Sequence, residues 1–159
     1  MDTRTGKLET GDADSAQWTR FRGSLTSEEE RIINQTIGCA IDVHREVGPG
    51  FLEAVYRRGM CIALSTQSLR FTTEQQVEVL YRGHRIGYQR LDLVVEGGVV
   101  VELKSVERLD FVHKAQLLSY LRAAKLRAGL LFNFNATPVT IRRVVLSSAV
   151  DQRETRGVL

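Results

Sequence analysis

Apolar residues in this 159-residue chain change from helical spacing to strand spacing twice. Across 27–66 they recur every three or four positions, and Gly-Pro-Gly at 48–50 divides this stretch into two helices. Residues 76–106 are rich in β-branched side chains and are broken by Arg-Gly and Gly-Gly pairs, which is typical of three antiparallel strands. Helical spacing returns across 110–126, and two short apolar strands follow. The pattern predicts an α/β fold with the order α-α-β-β-β-α-β-β and a sheet of mixed strand direction.

Local signals predict the ends and the buried faces of the first two helices. Ser27 and Glu30 fit a capping box, so the first helix is expected to begin near Ser27. The second helix is expected from about Phe51 to Thr66. Their apolar residues at helical spacing are predicted to face the core: Ile33, Ile37, Ala40, Ile41 and Val47 in the first helix, and Leu52, Val55, Tyr56, Met60, Ile62 and Ala63 in the second.

A single domain is expected between residues 25 and 150, because a chain of this length suits one core. Residues 1–24 are polar, rich in Gly and Thr, and without an apolar period, which predicts a flexible leader. Trp18 and Phe21 in this leader could dock on the domain. Residues 151–159 are predicted to form a flexible tail.

Composition narrows the class of protein. The chain is 43% hydrophobic and 26% charged, as in ordinary globular proteins. No apolar run approaches the roughly 20 residues of a membrane span, and no signal-peptide core precedes the domain, so a cytoplasmic location is expected. The absence of a Gly-rich phosphate-binding loop argues against an NTPase. A net charge of +3 permits a polyanionic partner.

Charged residues interrupt two strands that otherwise look like core strands. Glu102 and Lys104 end the run VVVELK, and Asp92 interrupts LDLVV. A two-residue turn between the strands would place Asp92 and Glu102 on opposite faces of the sheet. A three-residue loop over 96–98 would instead pair Asp92 with Glu102, and a glycine there supplies the left-handed position that such loops need.

A divalent cation would explain the predicted pairing. Directly opposed carboxylates repel each other, so the pairing adds nothing to the stability of the sheet. Two carboxylates suit Mg²⁺ or Mn²⁺, and Lys104 could then position water or offset phosphate charge. The alternative is that Glu102 and Lys104 form an exposed salt-bridged patch at the end of the strand.

Three segments resemble a known nuclease family. The segments GPGFLEAVY, RLDLVVEGGVVVELKSVE and HKAQLLSYL followed by GLLFNFN are similar to the GxxExxY family, a branch of the PD-(D/E)XK nuclease superfamily. The resemblance covers about residues 25–146, and it implies a restriction-endonuclease-like mixed β-sheet flanked by helices. Leu91 stands where the superfamily name has proline.

The resemblance also implies the members of a catalytic site. Asp92, Glu102 and Lys104 match the strand motifs, and Glu53 matches a helical acid. The implied ligands of Mg²⁺ or Mn²⁺ are Glu53, Asp92, Glu102 and the backbone carbonyl of Leu103. Four further residues are expected to support the site: Gln116 and Tyr120, which match the Q-x-x-x-Y motif of the RecB-type branch, with Tyr56 and His44.

Some of these residues also have structural explanations. Tyr120 fits a core tyrosine with its hydroxyl at the rim. Glu53 fits a favourable partner of the helix dipole near a helix start. His44 and His113 are expected to be structural or solvated rather than general bases, because a metal ion can activate water without them.

The expected substrate is nucleic acid, with DNA preferred over RNA. Arg90, Arg108 and Lys114 are predicted to contact phosphates, within a larger set of basic residues around the site. With no second recognition domain visible, specificity is expected from a homodimer, a protein partner or the structure of the substrate. Two other functions stay open: a non-catalytic nucleic-acid-binding or interaction module, and a hydrolase of other phosphate esters. The basic set comprises Arg82, Arg85, Arg90, Lys104, Arg108, Lys114, Arg122, Lys125 and Arg127.

Overall fold

A five-stranded mixed β-sheet with helices on both faces forms the part of the chain that the computed structural model describes, residues 24–146. Its elements confirm the predicted order and the predicted α/β fold with a mixed sheet flanked by helices. The predicted tail and all of the predicted leader except Ser24, including Trp18 and Phe21, lie outside the described residues. The elements are α1 (Ser27–Val47), α2 (Glu53–Thr66), β1 (Phe71–Tyr81), β2 (His84–Val95), β3 (Val99–Lys104), α3 (Phe111–Ala124), β4 (Ala128–Asn133) and β5 (Thr140–Val145).

The strands lie in the order β1-β2-β3-β4-β5, and only β3 and β4 are parallel. Helix α3 connects these two strands, as a parallel pair requires. Val95 pairs with Val99, which confirms the three-residue loop predicted over 96–98. Gly97 takes the expected left-handed backbone, with φ 65°, and Glu96 does so as well, with φ 50°. The carboxylate of Glu96 accepts hydrogen bonds from the backbone and side chain of Arg70, which holds this less usual residue in place.

Each face of the sheet buries its own hydrophobic core. Helices α1 and α2 cover one face, and helix α3 covers the other. On the α3 side, the side chain of Leu117 packs directly over Gly129 of β4: a Cβ atom at Gly129 would lie 2.9 Å from Leu117 Cδ1. The two clusters are centred on the following residues: Ile33, Tyr56, Met60, Val101 and Phe132 on the first face, and Leu91, Val100, Leu117, Leu121 and Leu131 on the second.

The predicted capping box of α1 is one residue out of place. Thr26 caps the helix and Glu29 completes the box, whereas Ser27 and Glu30 were expected. Thr26 has the extended backbone of a cap residue, with φ −72° and ψ 160°, while Ser27 is already helical. The sequence contains two overlapping candidates for the box, Thr26 with Glu29 and Ser27 with Glu30. Only the backbone conformation distinguishes them.

Some residues predicted to face the core lie at the surface. Ile62 is 71% exposed, and Ile41, Val47, Leu52 and Val55 are also exposed. Leu52 is the cap residue of α2, which begins at Glu53 rather than near Phe51. The other residues are exposed because each of the two helices packs on the sheet with only one of its sides. Apolar residues that lie beside this contact stay at the surface.

No helix within residues 24–146 combines the length and the hydropathy that crossing a membrane requires.

Candidate active site

Asp92 and Glu102 approach each other where β2 and β3 separate. The paired residues of the two strands end at Leu93 and Val101, so the next positions are Asp92 and Glu102. One carboxylate oxygen of Asp92, Oδ2, accepts a hydrogen bond from the backbone N–H of Leu103 at 2.9 Å. Burial, followed by the negative charge of Asp92, raises the pKa of Glu102, so the two acids lie within electrostatic range of each other. The predicted register therefore brings the acids together at one point of the sheet.

Glu102 is a buried residue, and only one of its two carboxylate oxygens takes part in a hydrogen bond. It is 4% exposed, and its Oε1 accepts a hydrogen bond from Lys104 Nζ at 2.9 Å. The second oxygen, Oε2, is buried and has no hydrogen-bond partner. Burial, followed by the charge of Asp92, raises the pKa of Glu102 to about 8, although Lys104 acts in the opposite direction. An unpaired buried oxygen beside a second acid is suited to accept a cation or a proton.

Lys104 lies against Glu102 and is mostly buried. Burial by itself lowers the pKa of Lys104, but the charge and hydrogen bond of Glu102, together with the charges of Glu53 and Asp92, more than offset this, and the net pKa is raised. The ammonium group therefore stays charged at neutral pH. The pair is not the exposed salt-bridged patch that the sequence left open as an alternative.

Helix α2 begins beside the end of β3 and brings Glu53 close to Lys104. The hydroxyl of Tyr56 donates to Gly48 O at 2.6 Å and accepts from Phe51 N–H at 3.2 Å. The hydroxyl of Ser105, just after β3, donates to Phe51 O at 2.6 Å. These bonds fix the loop before α2 on the strand that carries Glu102 and Lys104.

Glu53 interacts with this cluster through its charge. Its carboxylate contributes to the raised pKa of Lys104. An open cleft of about 530 Å³ adjoins it, lined among others by Glu53, Arg57, Ser105 and Asn135. Within residues 24–146, however, no group of three or more acidic, histidine or cysteine side chains lies close enough together to hold a metal ion. The described structure groups Asp92 with Glu102, and Glu53 does not complete a group of three with them.

Arg57 is a member of the cluster that the sequence did not reveal. Its NH1 lies 3.6 Å from Asp92 Oδ1, and its NH2 lies 3.5 Å from Glu74 Oε1. Arg57 follows Glu53 by four residues, so the two share one face of α2. That spacing is the only sequence signal for Arg57. The guanidinium compensates the charge of Asp92 in the described structure.

Gln116 and Tyr120 lie together on α3, near the acids. Gln116 Nε2 donates to Tyr120 Oη at 2.7 Å. Tyr120 is a buried residue. Burial, and then the charge of Glu102, raise the pKa of Tyr120, and its hydroxyl therefore lies within electrostatic range of Glu102. The buried amide of Asn133 bonds both the N–H and the C=O of Val106, at 3.0 and 2.8 Å, and so anchors the loop that leads to α3.

Tyr56, His44 and His113, which the sequence offered as supporting residues or general bases, lie in three different environments. Tyr56 is fully buried and stacks on Phe134 with ring centroids 4.5 Å apart. His44 lies 6.4 Å from the ring of Phe134, and its buried Nε2 has no partner. His113 completes the capping box of α3 with Asp110, as expected for a structural histidine.

The predicted phosphate contacts differ in exposure. Arg90 and Arg108 are exposed. Lys114 is only 5% exposed and lies in the buried part of α3, and its contact with phosphate stays a prediction. The long aliphatic stem of lysine allows such burial, and the sequence pattern does not reveal it.

Comparison with known proteins identifies a family for most of this chain. A family model described as the PD-(D/E)XK nuclease superfamily matches residues 30–144, which include every residue of the acid cluster. No curated protein matches the chain. Among solved structures, the crystal structure of SSO0001 matches with 20% identity and a TM-score of 0.49. The match covers 62% of this chain and 52% of that chain, about half of its length.

Proposed function

Because the chain belongs to the PD-(D/E)XK nuclease superfamily, we propose that it is a metal-dependent nuclease that hydrolyses phosphodiester bonds of DNA. The observation that carries the proposal is the unpaired buried oxygen of Glu102, which lies beside Asp92 and opposite Lys104. A carboxylate in this state is costly to keep in a protein unless a ligand uses it. Its neighbours supply hard oxygen atoms, which Mg²⁺ and Mn²⁺ prefer.

Two of the residues present, Asp92 and Glu102, fit such an ion and would hold it. The backbone carbonyl of Leu103 and Glu53 from α2 are proposed as further ligands. A bound divalent ion lowers the pKa of a coordinated water and offsets the negative charge of a phosphate. Lys104, charged and fixed by Glu102, would bind a phosphate oxygen or orient the water. Gln116 and Tyr120 would position the substrate or Lys104 from the other side.

Finer features of the proposal depend on the sequence motifs. The naming motif at 50–56 and the pair Gln116 and Tyr120 support placement in the GxxExxY family and the RecB-type branch. Arg90 and Arg108 are proposed to contact phosphates, because both are exposed. A cytoplasmic location, and a homodimer or protein partner that supplies specificity, are proposals of the same kind.

Cleavage assays with isosteric variants test the proposal. Plasmid, linear and single-stranded DNA, and RNA, are incubated with the protein in Mg²⁺, Mn²⁺ or EDTA. Asp92→Asn can still accept the hydrogen bond from Leu103 N–H, and Glu102→Gln can still accept the one from Lys104, so both variants should fold. We expect each to lose more than the roughly 10- to 100-fold that loss of an outer-shell partner costs, since each removes a ligand charge. The matched control is Glu28→Gln, an exposed carboxylate on α1, which should cleave like wild type.

Equal cleavage by wild type and Asp92→Asn would reject the proposed site. Binding of nucleic acid without cleavage under any condition would instead support a non-catalytic binding module. Two observations favour that alternative: Arg57 lies against Asp92, and no three-acid group exists among residues 24–146.

A further inference from the structure

The end of the β1–β2 hairpin concentrates the net charge of the chain. Residues 79–90, called the hairpin arm below, contain three arginines and no acidic residue, a formal charge of +3. The whole chain also carries +3, from 22 basic and 19 acidic residues. The rest of the chain therefore has 19 of each and is neutral, so the arm attracts a polyanion. Arg85 lies 3.6 Å from Glu78 and Arg90 lies 3.6 Å from Glu74, both acids just outside the arm, so Arg82 is the arginine of the arm without an acidic partner among the described ion pairs.

The hairpin arm continues the strand that carries Asp92. Pairing between β2 and β3 stops at Leu93, so within the arm β2 is paired only with β1. Asp92 is nine positions along the chain from Gly83 in the turn, which is about 30 Å at about 3.3 Å per residue. Residues 81–86 are all exposed. A strand of nucleic acid lying along the arm would therefore lead towards the acid cluster.

The arm also exposes large apolar side chains. Leu80, Tyr81, Ile86 and Tyr88 are each more than half exposed. An arginine lies over each tyrosine ring: the guanidinium carbon of Arg82 is 5.3 Å from the centroid of Tyr81, and that of Arg85 is 5.0 Å from the centroid of Tyr88. Aromatic rings and guanidinium planes are the groups on which unpaired bases stack.

Two occupants could cover these side chains, and charge distinguishes them. A second copy of the chain docking through the same arm would bring two +3 segments together, and like charges oppose that contact. A duplex would satisfy the arginines, but its bases are already stacked on each other and would leave the tyrosines and aliphatic side chains uncovered. Unpaired nucleotides satisfy both requirements, because they offer phosphates to the arginines and base faces to the rings.

We infer that the hairpin arm binds single-stranded nucleic acid, by base stacking on Tyr81 and Tyr88 and by phosphate contacts from Arg82 and Arg85. The inference depends on the proposed nuclease function, and it makes substrates with unpaired segments the preferred class. The strand bound by the arm would then pass to Asp92, which lies two residues beyond the end of the arm in β2.

Equilibrium binding without metal tests the arm separately from catalysis. A labelled mixed-sequence 20-nucleotide DNA and the duplex of the same sequence are titrated in EDTA. Wild type should bind the single strand more tightly. Tyr81→Ala/Tyr88→Ala should weaken single-strand binding on the order of a hundredfold, about tenfold for each tyrosine, with a smaller effect on the duplex. Tyr81→Phe/Tyr88→Phe keeps the rings and should bind like wild type, as should the control Ile62→Ala, an exposed apolar residue on α2.

Arginine variants test the phosphate contacts. Arg82→Gln/Arg85→Gln should reduce the dependence of log K on log salt concentration by about 0.7 per lost contact for a single strand. A salt dependence equal to that of wild type would reject these contacts.

Other outcomes would overturn the inference. Unchanged single-strand binding by Tyr81→Ala/Tyr88→Ala would do so, and so would equal loss for single strand and duplex. A wild-type dimer that becomes monomeric in the alanine variant would assign the arm to a second copy instead. The proposed function can fail separately from this inference. Binding through the arm with no cleavage in Mn²⁺ would reject the nuclease function and support binding by the arm. Cleavage by a protein whose arm does not bind single strands would support the nuclease function and reject the inference about the arm.

Discussion

At the scale of single residues, Glu102 combines burial with a charge that the surroundings only partly compensate. Its pKa is raised from an ordinary value of 4.5 to about 8, so the unfolded chain gives up this proton more readily than the folded protein. The free energy of unfolding of the metal-free protein should therefore fall as pH rises from about 4.5 to about 8. The slope can reach about 1.4 kcal/mol per pH unit for one proton.

Glu102→Gln should remove most of this slope. Denaturant unfolding in EDTA at pH 5, 6.5 and 8 measures it. Glu28→Gln is the control. The hydrogen bond that Glu28 accepts from Arg31 lowers the pKa of Glu28, so this residue is ionised over the whole pH range. Its replacement should therefore leave the slope unchanged. The interpretation of Glu102 as a protonatable buried acid is contradicted if wild type and Glu102→Gln show the same dependence on pH.

Individual site residues were predictable where a strand or helix period places them. Glu102 and Lys104 share a side because they are two apart, and Asp92 joined them through the loop length. Arg57 was missed because an ion pair between a helix and a strand leaves no local pattern. The burial of Lys114 could not be predicted, because a lysine on a helix gives no sign of its burial in the sequence.

At the scale of elements, one hydroxyl group makes two of the hydrogen bonds that hold the loop before α2. Tyr56 bonds both Gly48 O and Phe51 N–H while its ring stacks on Phe134. Tyr56→Phe keeps the stacking and removes both bonds, so the free energy of unfolding should fall by about 1–3 kcal/mol. Urea unfolding measures this change. Because the same loop places Glu53, cleavage should weaken as well.

Tyr120→Phe provides a comparison on the other face of the sheet. Its hydroxyl is nearly buried and accepts a hydrogen bond from Gln116 alone among the bonds described. If Tyr56→Phe destabilised the protein no more than Tyr120→Phe, the loop would not depend on the hydroxyl of Tyr56.

At the scale of the whole molecule, the element order followed from the change of hydrophobic period, whereas the arrangement of strands in space did not. The parallel contact between β3 and β4 joins residues about 30 positions apart, and α3 has to cross between them. Both strands are buried along nearly their whole length, as strands covered on two faces are, although Glu102, Lys104 and Asn133 at their ends are polar. Local patterns predicted the mixed directions but could not choose the neighbours, because that choice depends on which helices cover which face.

Metal binding should appear as stability of the entire fold if the acids form one site. An ion that binds the folded protein alone stabilises it by mass action, by about 2.7 kcal/mol at a concentration one hundred times its dissociation constant. Thermal unfolding of wild type should therefore shift upward as Mn²⁺ is raised. Asp92→Asn and Glu102→Gln should each lose the shift, because each removes a charged ligand while keeping the local hydrogen bonds.

Glu53→Gln decides whether helix and sheet share the ion. The charge of Glu53 contributes to the raised pKa of Lys104, but Glu53 belongs to no close group of three acids among residues 24–146. If α2 contributes a ligand, Glu53→Gln should reduce the Mn²⁺-dependent shift to a value between those of wild type and Asp92→Asn. A full wild-type shift in Glu53→Gln would restrict the site to the two strands. A full shift in Asp92→Asn would mean that the ion binds elsewhere on the molecule, since the carboxylates at the fork of β2 and β3 would then make no contribution to its affinity.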